Sequence, residues 1–328
     1  MRAVITGGGG FLGTLLARRL LSGTLSVGGA VPVAVDELVL LDLVAPQPDV
    51  AADARVTAHI GELSTVLGGL GYADIVFHLA GVVSGAAEAD FDLGMRTNVD
   101  ATRDLLEWCR ARPVPPVLVF SSSLAVFGVD PAIGPIGRVD DDTLPRPQTS
   151  YGIQKFIGEQ LVADYTRKGF VRGRSVRLMT VSVRPGRPNA AASSFLSSII
   201  REPLAGEPAV CPVPPDSPVA LSSPARTIEG IVRAAEVDDA TWGSTTALTL
   251  PSLSTTPREM IAALDRVAGP GPSSLITWQD DSTIGAMVRG WPAEFSTPRA
   301  EKLGLHPETS FDDIVRAYIA DQAVPSQS

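Results

Sequence analysis

The sequence of 328 residues contains only two cysteines and three histidines. Two thiols, Cys109 and Cys211, cannot build a disulfide framework, and no His or Cys group has the spacing of a zinc site. We therefore predict no metal and a reducing compartment. Of the isolated histidines, His78 ends an apolar stretch, and we expect it to be a hydrogen-bonded structural group.

Positive charge and long apolar runs are also scarce. The chain has 27 Lys and Arg against 36 Asp and Glu, a net charge of −9. Nucleic-acid binding depends on clustered cations, so we predict no nucleic-acid partner. No apolar run approaches the roughly 20 residues that span a bilayer, and the start of the chain resembles a strand rather than a secretory signal. We expect a cytoplasmic protein without a membrane partner.

What the sequence does have is an alternation of short apolar stretches and longer helical patterns, which predicts a doubly wound parallel sheet. Apolar residues at helical spacing cover residues 11–21 and 92–111, and Pro113 ends the second helix. The predicted fold class is α/β, a Rossmann-type doubly wound parallel sheet with a smaller C-terminal substrate-binding region. The predicted strands are Ala3 to Thr6, Glu37 to Leu41, Val56 to Ile60, Ile75 to Leu79, Val117 to Ser121 and Ser175 to Val181.

A glycine-rich loop, TGGGGFLG at residues 6–13, joins the first strand to the first helix. Gly7, Gly10 and Gly13 would let the backbone turn tightly and approach a pyrophosphate, which the helix N-terminus would attract. Taken alone, four glycines between a strand and a helix could equally form a turn that binds no ligand.

Asp42, at the end of the second strand, favours the first interpretation. Its carboxylate can accept hydrogen bonds from both adenosine ribose hydroxyls and would repel a 2′-phosphate, and no Arg or Lys occurs at residues 43–45. NAD is therefore predicted rather than NADP. The preceding insert, residues 22–37, is interpreted as a surface loop, and Asp36 would lie at the wrong end of the sheet.

The composition of the sequence changes near residue 184, where Pro and Ser become frequent. We predict an NAD-binding Rossmann domain at residues 1–183 and a mainly substrate-binding region at residues 184–328, with some segments returning to the Rossmann sheet. The alternative is loop-rich packing around the sheet.

Tyr151 and Lys155 are four residues apart at the start of a helix, so they share one face. A nearby ammonium would lower the phenol pKa and let Tyr151 exchange protons with a substrate hydroxyl. In the alternative interpretation the pair has no function, and the Lys side chain extends to solvent beside a half-buried Tyr. A separate apolar stripe is predicted at Ile153, Phe156, Ile157 and Leu161.

The glycine loop, Asp42, HLAG at residues 78–81, SSSLAVFG at 121–128 and YGIQK at 151–155 occur in the order found in the extended short-chain dehydrogenase/reductases, the NAD-dependent epimerase/dehydratase group. The chain resembles that family over about its first 185 residues. The resemblance implies that Tyr151 is the acid/base, that Lys155 binds the nicotinamide ribose and lowers the Tyr151 pKa, and that Ser123 orients the substrate hydroxyl. The implied cofactor contacts are Gly7, Gly10, Phe11, Leu12, Gly13, Asp42, Glu62, Leu63, Leu79, Ala80, Tyr151 and Lys155.

Further details follow from the same resemblance. Glu62 stands where the family usually has an Asp near the adenine, and Asn98 matches an Asn that is usually structural. The family often forms homodimers through two helices, which would correspond here to residues 92–111 and 151–168.

Three reactions are possible on this frame. A dehydratase of the family needs an Asp-Glu pair after the catalytic hydroxyl, where this chain has Leu124 and Ala125. A nucleotide-sugar epimerase needs a cation for the diphosphate, and the first one in the corresponding segment, Arg226, comes several residues late. Oxidation of a small polyol or hydroxy acid remains. A non-catalytic NAD-sensing regulator is disfavoured because Ser123, Tyr151 and Lys155 are all present.

A sugar-acid substrate would need a cation for its carboxylate, and SVRPGRPN offers Arg184 and Arg187. Either arginine could instead pair with a structural carboxylate. The candidate substrate contacts are Ser84, Ser123, Tyr151, Arg184, Arg187 and Asn189.

Overall fold

The apolar stretches of the first half form a parallel sheet, to which a later strand is added. The computed structural model describes residues 1–186 and 191–323, and within them the sheet has seven strands. All neighbouring pairs are parallel. The predicted α/β class is confirmed, and the carboxyl ends of the strands share one edge. The strands are β1 Arg2–Thr6, β2 Glu37–Asp42, β3 Val56–Ile60, β4 Ile75–His78, β5 Val117–Ser123, β6 Arg172–Leu178 and β7 Leu248–Thr249. Their order across the sheet is β7-β6-β5-β4-β1-β2-β3.

Helices cover both faces of the sheet. The longer ones are α1 Phe11–Leu21, α2 Ala101–Arg110, α3 Ser150–Arg167, α4 Phe195–Leu204, α5 Pro224–Glu236, α6 Pro257–Ala268 and α7 Phe311–Ala323. Shorter ones are Pro48–Ala51, Leu63–Val66, Ser84–Ala89, Phe91–Gly94, Asp239–Trp242, Ser282–Gly290 and Pro298–Lys302. Helices α1 and α5 bury apolar side chains with one face of the sheet, and α2 and α3 do so with the other. Both faces are therefore dry, which explains the nearly continuous apolar runs of the central strands.

The predicted strand at residues 175–181 was wrong in its bounds and its continuity. Strand β6 ends at Leu178, and Thr180–Val181 is a separate strand that pairs with Val219–Ser222 in another sheet. Met179, between them, is buried against Leu124 and Ala220. An unbroken run of strand-forming residues indicates an extended backbone but not the sheet to which it belongs, so the change of sheet was missed.

The predicted single helix at residues 92–111 is divided. The chain forms Phe91–Gly94, a π-helical segment at Met95–Asp100, and then α2. The wider π-helical turns contain the buried Asn98. Its side chain accepts a 2.9 Å hydrogen bond from Val82 N and donates a 2.8 Å bond to Gln154 Oε1. Asn98 therefore links the loop after β4 to α3, which agrees with a structural role.

The insert at residues 22–37 is not only a surface loop. Thr24–Leu25 pairs with Val33–Ala34 in a short antiparallel ladder. Leu25 and Val35 are each only 1% exposed and pack in the main core. These two buried side chains attach the insert to the core. The Gly-rich composition of the insert did not reveal this packing.

The later part of the chain has a core of its own. Apolar side chains of α4, α6 and α7 pack together there, away from the central sheet. Strand β7 pairs with β6 at the edge of the central sheet, and α5 contacts β5 and β6. The domain boundary between residues 183 and 184 stays a prediction. Strand β7 and helix α5 agree with the expectation that parts of the later chain return to the Rossmann sheet.

Candidate active site

A large cavity opens at the carboxyl ends of the strands and has a volume of about 860 Å³. Ligands of open parallel sheets bind at this edge, and the volume suits a dinucleotide with a small second ligand. All residues predicted to contact a cofactor line it, as do Ser84, Ser123 and Arg184. Arg187 and Asn189 lie outside the described residues. The cofactor candidates along its wall are Gly7, Gly10, Phe11, Leu12, Gly13, Asp42, Glu62, Leu63, Leu79, Ala80, Tyr151 and Lys155.

The glycine loop is packed too closely for side chains at Gly7, Gly8, Gly9 and Gly13. A Cβ on Gly13 would lie 2.0 Å from the Gly7 carbonyl oxygen, and one on Gly7, whose φ is +74°, would lie 2.8 Å from Ala80 N. Helix α1 has no side-chain cap, and the first-turn N–H groups of Phe11, Leu12 and Gly13 have no protein acceptor within the described ranges. These donors and the helix dipole fit the pyrophosphate of a dinucleotide.

The carboxylate of Asp42 is held at the end of β2 by main-chain donors. Its Oδ2 accepts a 2.9 Å hydrogen bond from Gly9 N, and its Oδ1 accepts a 2.6 Å bond from Leu43 N. A carboxylate fixed beside the glycine loop fits the two ribose hydroxyls of NAD. Asp36 pairs with the N-terminal amine at the opposite end of the sheet, as expected.

The three serines that end β5 have different partners. Ser121 Oγ donates to the carbonyl oxygen of His78 at 2.9 Å, and Ser122 Oγ donates to Glu159 Oε1 at 2.5 Å. Ser123 Oγ accepts a 3.1 Å bond from Ala125 N. Ser123 and Tyr151 line the same cavity, and Ser123 acts to lower the pKa of the Tyr151 phenol. The serine run therefore fixes β5 on two sides, and its third residue, Ser123, lines the cavity together with Tyr151.

Tyr151 lies in the first turn of α3. Thr149 caps this helix by accepting from Gly152 N at 3.1 Å, which fixes the start of the helix beside the cavity. Lys155, one turn later, is only 4% exposed, and its Nζ donates a 2.9 Å bond to the Ser121 carbonyl oxygen. The ammonium nitrogen is 5.8 Å from the centre of the Tyr151 ring. The structure thus brings Ser123, Tyr151 and Lys155 together.

The electrostatics of this group differ from the expectation. Burial raises the pKa of the Tyr151 phenol, while the Ser123 side chain and the nearby Arg184 charge act to lower that pKa. Burial also lowers the pKa of Lys155 to about 8. The expected net lowering of the Tyr151 pKa by Lys155 is therefore not found, because desolvation of a phenolate outweighs the favourable contacts. Arg184 is the cation that lowers this pKa.

The apolar stripe predicted on α3 is not its buried side. Ile153 is 47% exposed, whereas the helix buries Gly152, Gln154, Lys155, Gly158, Glu159 and Val162. Polar side chains can be buried there because the strands supply partners for them. Periodicity of apolar residues could not reveal this arrangement.

Some cavity residues were missed from the sequence. Met179, Thr180 and Trp291 also line the cavity. Trp291 comes from the C-terminal end of Ser282–Gly290, more than 100 residues beyond the catalytic motifs. No local pattern in the sequence marks these positions.

Other sequence predictions can be compared directly with the structure. His78 is buried and bonded to Thr6 Oγ1 at 2.6 Å and to Thr102 Oγ1 at 2.9 Å, which confirms a hydrogen-bonded structural group. Among the described residues, no cluster of three metal-binding side chains occurs. In the same part of the chain, every helix is too short or too polar to cross a bilayer.

Together, the parallel sheet, glycine loop and Ser-Tyr-Lys group define a dinucleotide-dependent enzyme of the short-chain type. The model of the NAD dependent epimerase/dehydratase family matches residues 3–217. The chain belongs to this family, and its cofactor is NAD.

Several relatives are similar over nearly their whole length. D-erythronate dehydrogenase of Cupriavidus necator is 50% identical over 326 residues, covering 98% of both chains. D-erythronate dehydrogenase of Haemophilus influenzae is 39% identical over 328 residues, covering 97% of this chain and 99% of the relative. A crystal structure described as a nucleoside-diphosphate-sugar epimerase from Agrobacterium tumefaciens is 37% identical, with a TM-score of 0.88, and the match covers 98% of this chain and 94% of that one.

Proposed function

We propose that this protein oxidises D-erythronate at C2 to 2-dehydro-D-erythronate with NAD. Two relatives that match nearly the whole chain, at 50% and 39% identity, bear the name D-erythronate dehydrogenase. The single structural observation that carries the proposal is a guanidinium beside the candidate proton acceptor that has no carboxylate partner within the described residues.

This guanidinium belongs to Arg184. The residue is partly buried, lines the cavity and acts electrostatically on Tyr151. Burial and the nearby Arg201 lower the Arg184 pKa, and none of the ion pairs found in the described residues includes Arg184. A guanidinium in such surroundings gains from a carboxylate ligand, which can accept two parallel hydrogen bonds. A hydroxy acid bound to Arg184 would supply that partner.

The other side chains can then serve the oxidation. In our proposal, Ser123 holds the C2 hydroxyl oxygen and Tyr151 receives its proton as the C2–H bond breaks. When bound, NAD accepts the hydride, so that the products are the keto acid, NADH and a proton. We further propose that Lys155 holds the nicotinamide ribose and that Ser84, which begins the helix after β4 and lines the cavity, contacts a further hydroxyl.

The alternative reactions of the family have less support. Leu124 and Ala125, which follow Ser123, are buried and carry no acid or base for dehydration. Arg226 forms a surface ion pair with Glu229 and is not part of the cavity wall, so it is not available to a nucleotide diphosphate there. The Agrobacterium structure bears an epimerase name, which makes nucleotide-sugar conversion the second candidate.

We also propose a homodimer. Phe91 is 61% exposed and Ile153 on α3 is 47% exposed, and the short helix Phe91–Gly94 contacts α3. Apolar side chains of this size on neighbouring helices would be covered if two copies met through this face. Sedimentation of the wild type and of an Ile153→Glu variant would test this assembly.

A cytoplasmic location is proposed as well. Both cysteines are buried free thiols, and NAD with a metabolite acid is supplied inside cells. Fractionation of cells that express the tagged full chain would test it.

The test of function is NADH formation with NAD and a panel of D-erythronate, L-threonate, D-threonate, hexuronates and UDP-hexoses. We expect turnover of D-erythronate. Arg184→Met should raise the KM for the acid by roughly tenfold to a hundredfold, the loss expected for a charge-assisted contact. Arg226→Met, an arginine outside the cavity, is the matched control. Interconversion of a UDP-hexose without NADH release would instead establish the epimerase.

A further inference from the structure

The most completely buried ion pair of the described region joins β6 to α3, the helix that carries Tyr151 and Lys155. Glu159 on α3 is 2% exposed and Arg177 on β6 is 3% exposed. Arg177 Nε donates to Glu159 Oε1 at 2.9 Å, and its terminal nitrogen donates to Oε2 at 2.7 Å. Such a two-pronged pair has a defined geometry as well as a favourable energy.

A third group completes the arrangement. Ser122 on β5 donates to Glu159 Oε1 at 2.5 Å, and Ser122 is the direct neighbour of Arg177 across the two strands. Arg177 also lies over the ring of Phe127, 4.9 Å from its centre. One helix and two adjacent strands therefore meet at the Glu159 carboxylate.

The spacing of these contacts along α3 relates them to the reaction. Consecutive residues of β5 face three positions on the helix. Ser121 accepts a hydrogen bond from Lys155 and Ser122 donates one to Glu159, while Ser123 is near enough to Tyr151 to lower its pKa. Glu159 lies one turn beyond Lys155 and two turns beyond Tyr151, so a sliding or rotating helix would displace all three together.

We propose that Glu159, Ser122 and Arg177 form a positioning clamp that sets the register of α3 on β5, and so holds Tyr151 at the Ser123 hydroxyl. These are positioning residues: Glu159 and Arg177 are not part of the cavity wall, and Ser122 lines the cavity but its hydroxyl donates to Glu159. The clamp concerns the site of the proposed function and rests on that assignment for its catalytic meaning. A displacement of about 1 Å at reacting groups can reduce a rate by roughly a hundredfold.

A buried ion pair is itself weak evidence for a role in stability. Replacing such a pair by apolar residues of similar volume is often neutral or stabilising, whereas removing one partner is strongly destabilising. The two possible roles can therefore be separated, because an apolar replacement can preserve folding while it removes the hydrogen bonds that define the register.

The main test is the double variant Glu159→Leu/Arg177→Met. We expect a melting temperature close to that of the wild type, a kcat lower by roughly tenfold to a hundredfold and KM values within about twofold. The acid limb of the kcat profile should move to higher pH, because Tyr151 would lose part of its contact with Ser123. Wild-type kcat and pH profile in a folded double variant would overturn the proposal.

A milder variant covers the case in which the double variant does not fold. Ser122→Ala leaves both charges paired and removes only the contact between β5 and the carboxylate. Its matched control is Ser175→Ala, since Ser175 lies on the same strand as Arg177, shares its face and is 2% exposed. No hydrogen bond of Ser175 Oγ occurs within the described residues. A kcat reduced in Ser122→Ala but not in Ser175→Ala supports the clamp, and equal kcat values overturn it.

A readout without turnover separates the clamp from the proposed function. Ultraviolet titration of tyrosinate, with the matching Tyr151→Phe protein subtracted, gives the titration midpoint of Tyr151 in each background while circular dichroism verifies folding. We expect a higher midpoint in Ser122→Ala than in the wild type. An unchanged midpoint would overturn the clamp, whereas a wild type that oxidises no sugar acid would overturn only the proposed function.

Discussion

Lys155 Nζ donates a 2.9 Å hydrogen bond to the main-chain carbonyl oxygen of Ser121, and both residues are buried. This contact joins the helix that carries Tyr151 to the strand that carries Ser123. It also places an ammonium in surroundings that disfavour charge, as the lowered pKa of Lys155 shows. Function and stability are therefore expected to oppose each other at this position.

The role proposed for Tyr151 predicts the effect of removing its hydroxyl. Tyr151→Phe should lower kcat by roughly 10² to 10⁴-fold, because the proton of the substrate hydroxyl loses its acceptor. The affinity for NAD, measured by calorimetry, should change little. Tyr72→Phe is the control, since Tyr72 is 59% exposed. Full turnover in Tyr151→Phe would show that another group accepts the proton.

The carboxylate of Asp42 predicts the cofactor preference. Asp42→Asn should raise the KM for NAD by roughly tenfold, since a hydrogen bond to a charged group contributes about 1.5–3 kcal/mol. Activity with NADP should become measurable because the negative charge that repels its 2′-phosphate is gone. Asp36→Asn, near the opposite end of the same strand, is the control. The ratio of kcat/KM for the two cofactors is the measurement, and an unchanged ratio would contradict the assignment.

The parts of the site that were predictable are those encoded by short, local patterns. The glycine spacing and the Tyr151 to Lys155 spacing each define a geometry within one or two turns of helix. Asp42 could be located because a residue that ends a parallel strand lies at the ligand edge of the sheet. Local physical rules therefore located the glycine loop, Asp42 and the Tyr151–Lys155 pair, whereas the other predicted cofactor contacts came from the family resemblance.

The remaining features depend on contacts between distant segments. No sequence pattern singles out Glu159, and only its two strand partners, Ser122 and Arg177, show why it is buried. Trp291 reaches the cavity from a helix far along the chain. The sign of the Tyr151 pKa shift was missed because burial cannot be estimated from neighbours in the sequence.

The buried His78 predicts a dependence of stability on acid. Thr102 Oγ1 donates to the Asn98 carbonyl oxygen at 2.8 Å and so accepts from His78 Nε2, which leaves Nδ1 to accept from Thr6. The imidazole is neutral, and burial, aided by the Lys155 charge, lowers its pKa from 6.5 to about 3. Between these values the unfolded chain binds the additional proton, so stability is lost as the pH falls.

The corresponding measurement is urea unfolding at a series of pH values. The free energy of unfolding should fall by as much as about 1.4 kcal/mol per pH unit on account of this residue between pH 6.5 and 3. His78→Gln should reduce that slope, although it lowers stability at neutral pH, while the exposed His306→Gln should leave it unchanged. Equal slopes in all three proteins would mean that His78 is not the group responsible.

The Lys155 ammonium is proposed to serve the reaction, but its burial disfavours the folded state. Replacing Lys155 should therefore give a more stable but inactive protein. Burial lowers its pKa from 10.5 to about 8. Between these values the unfolded chain binds more protons than the folded one, so the stability contribution rises with pH from 8 to 10.5 and is at its lowest below pH 8. The difference corresponds to roughly 3 kcal/mol, from about 1.4 kcal/mol per pH unit.

Lys155→Met should therefore raise the free energy of unfolding at pH 7 by about 1–2 kcal/mol, less than the full difference because the Ser121 carbonyl loses its donor. The gain should disappear as the pH approaches 10.5, and oxidation should be lost at every pH. Lys168→Met, at an exposed position just after α3, is the control for removing a lysine charge. A variant that is less stable than the wild type at pH 7, or a gain that does not vary with pH, would show that the Lys155 ammonium is well accommodated in the folded protein.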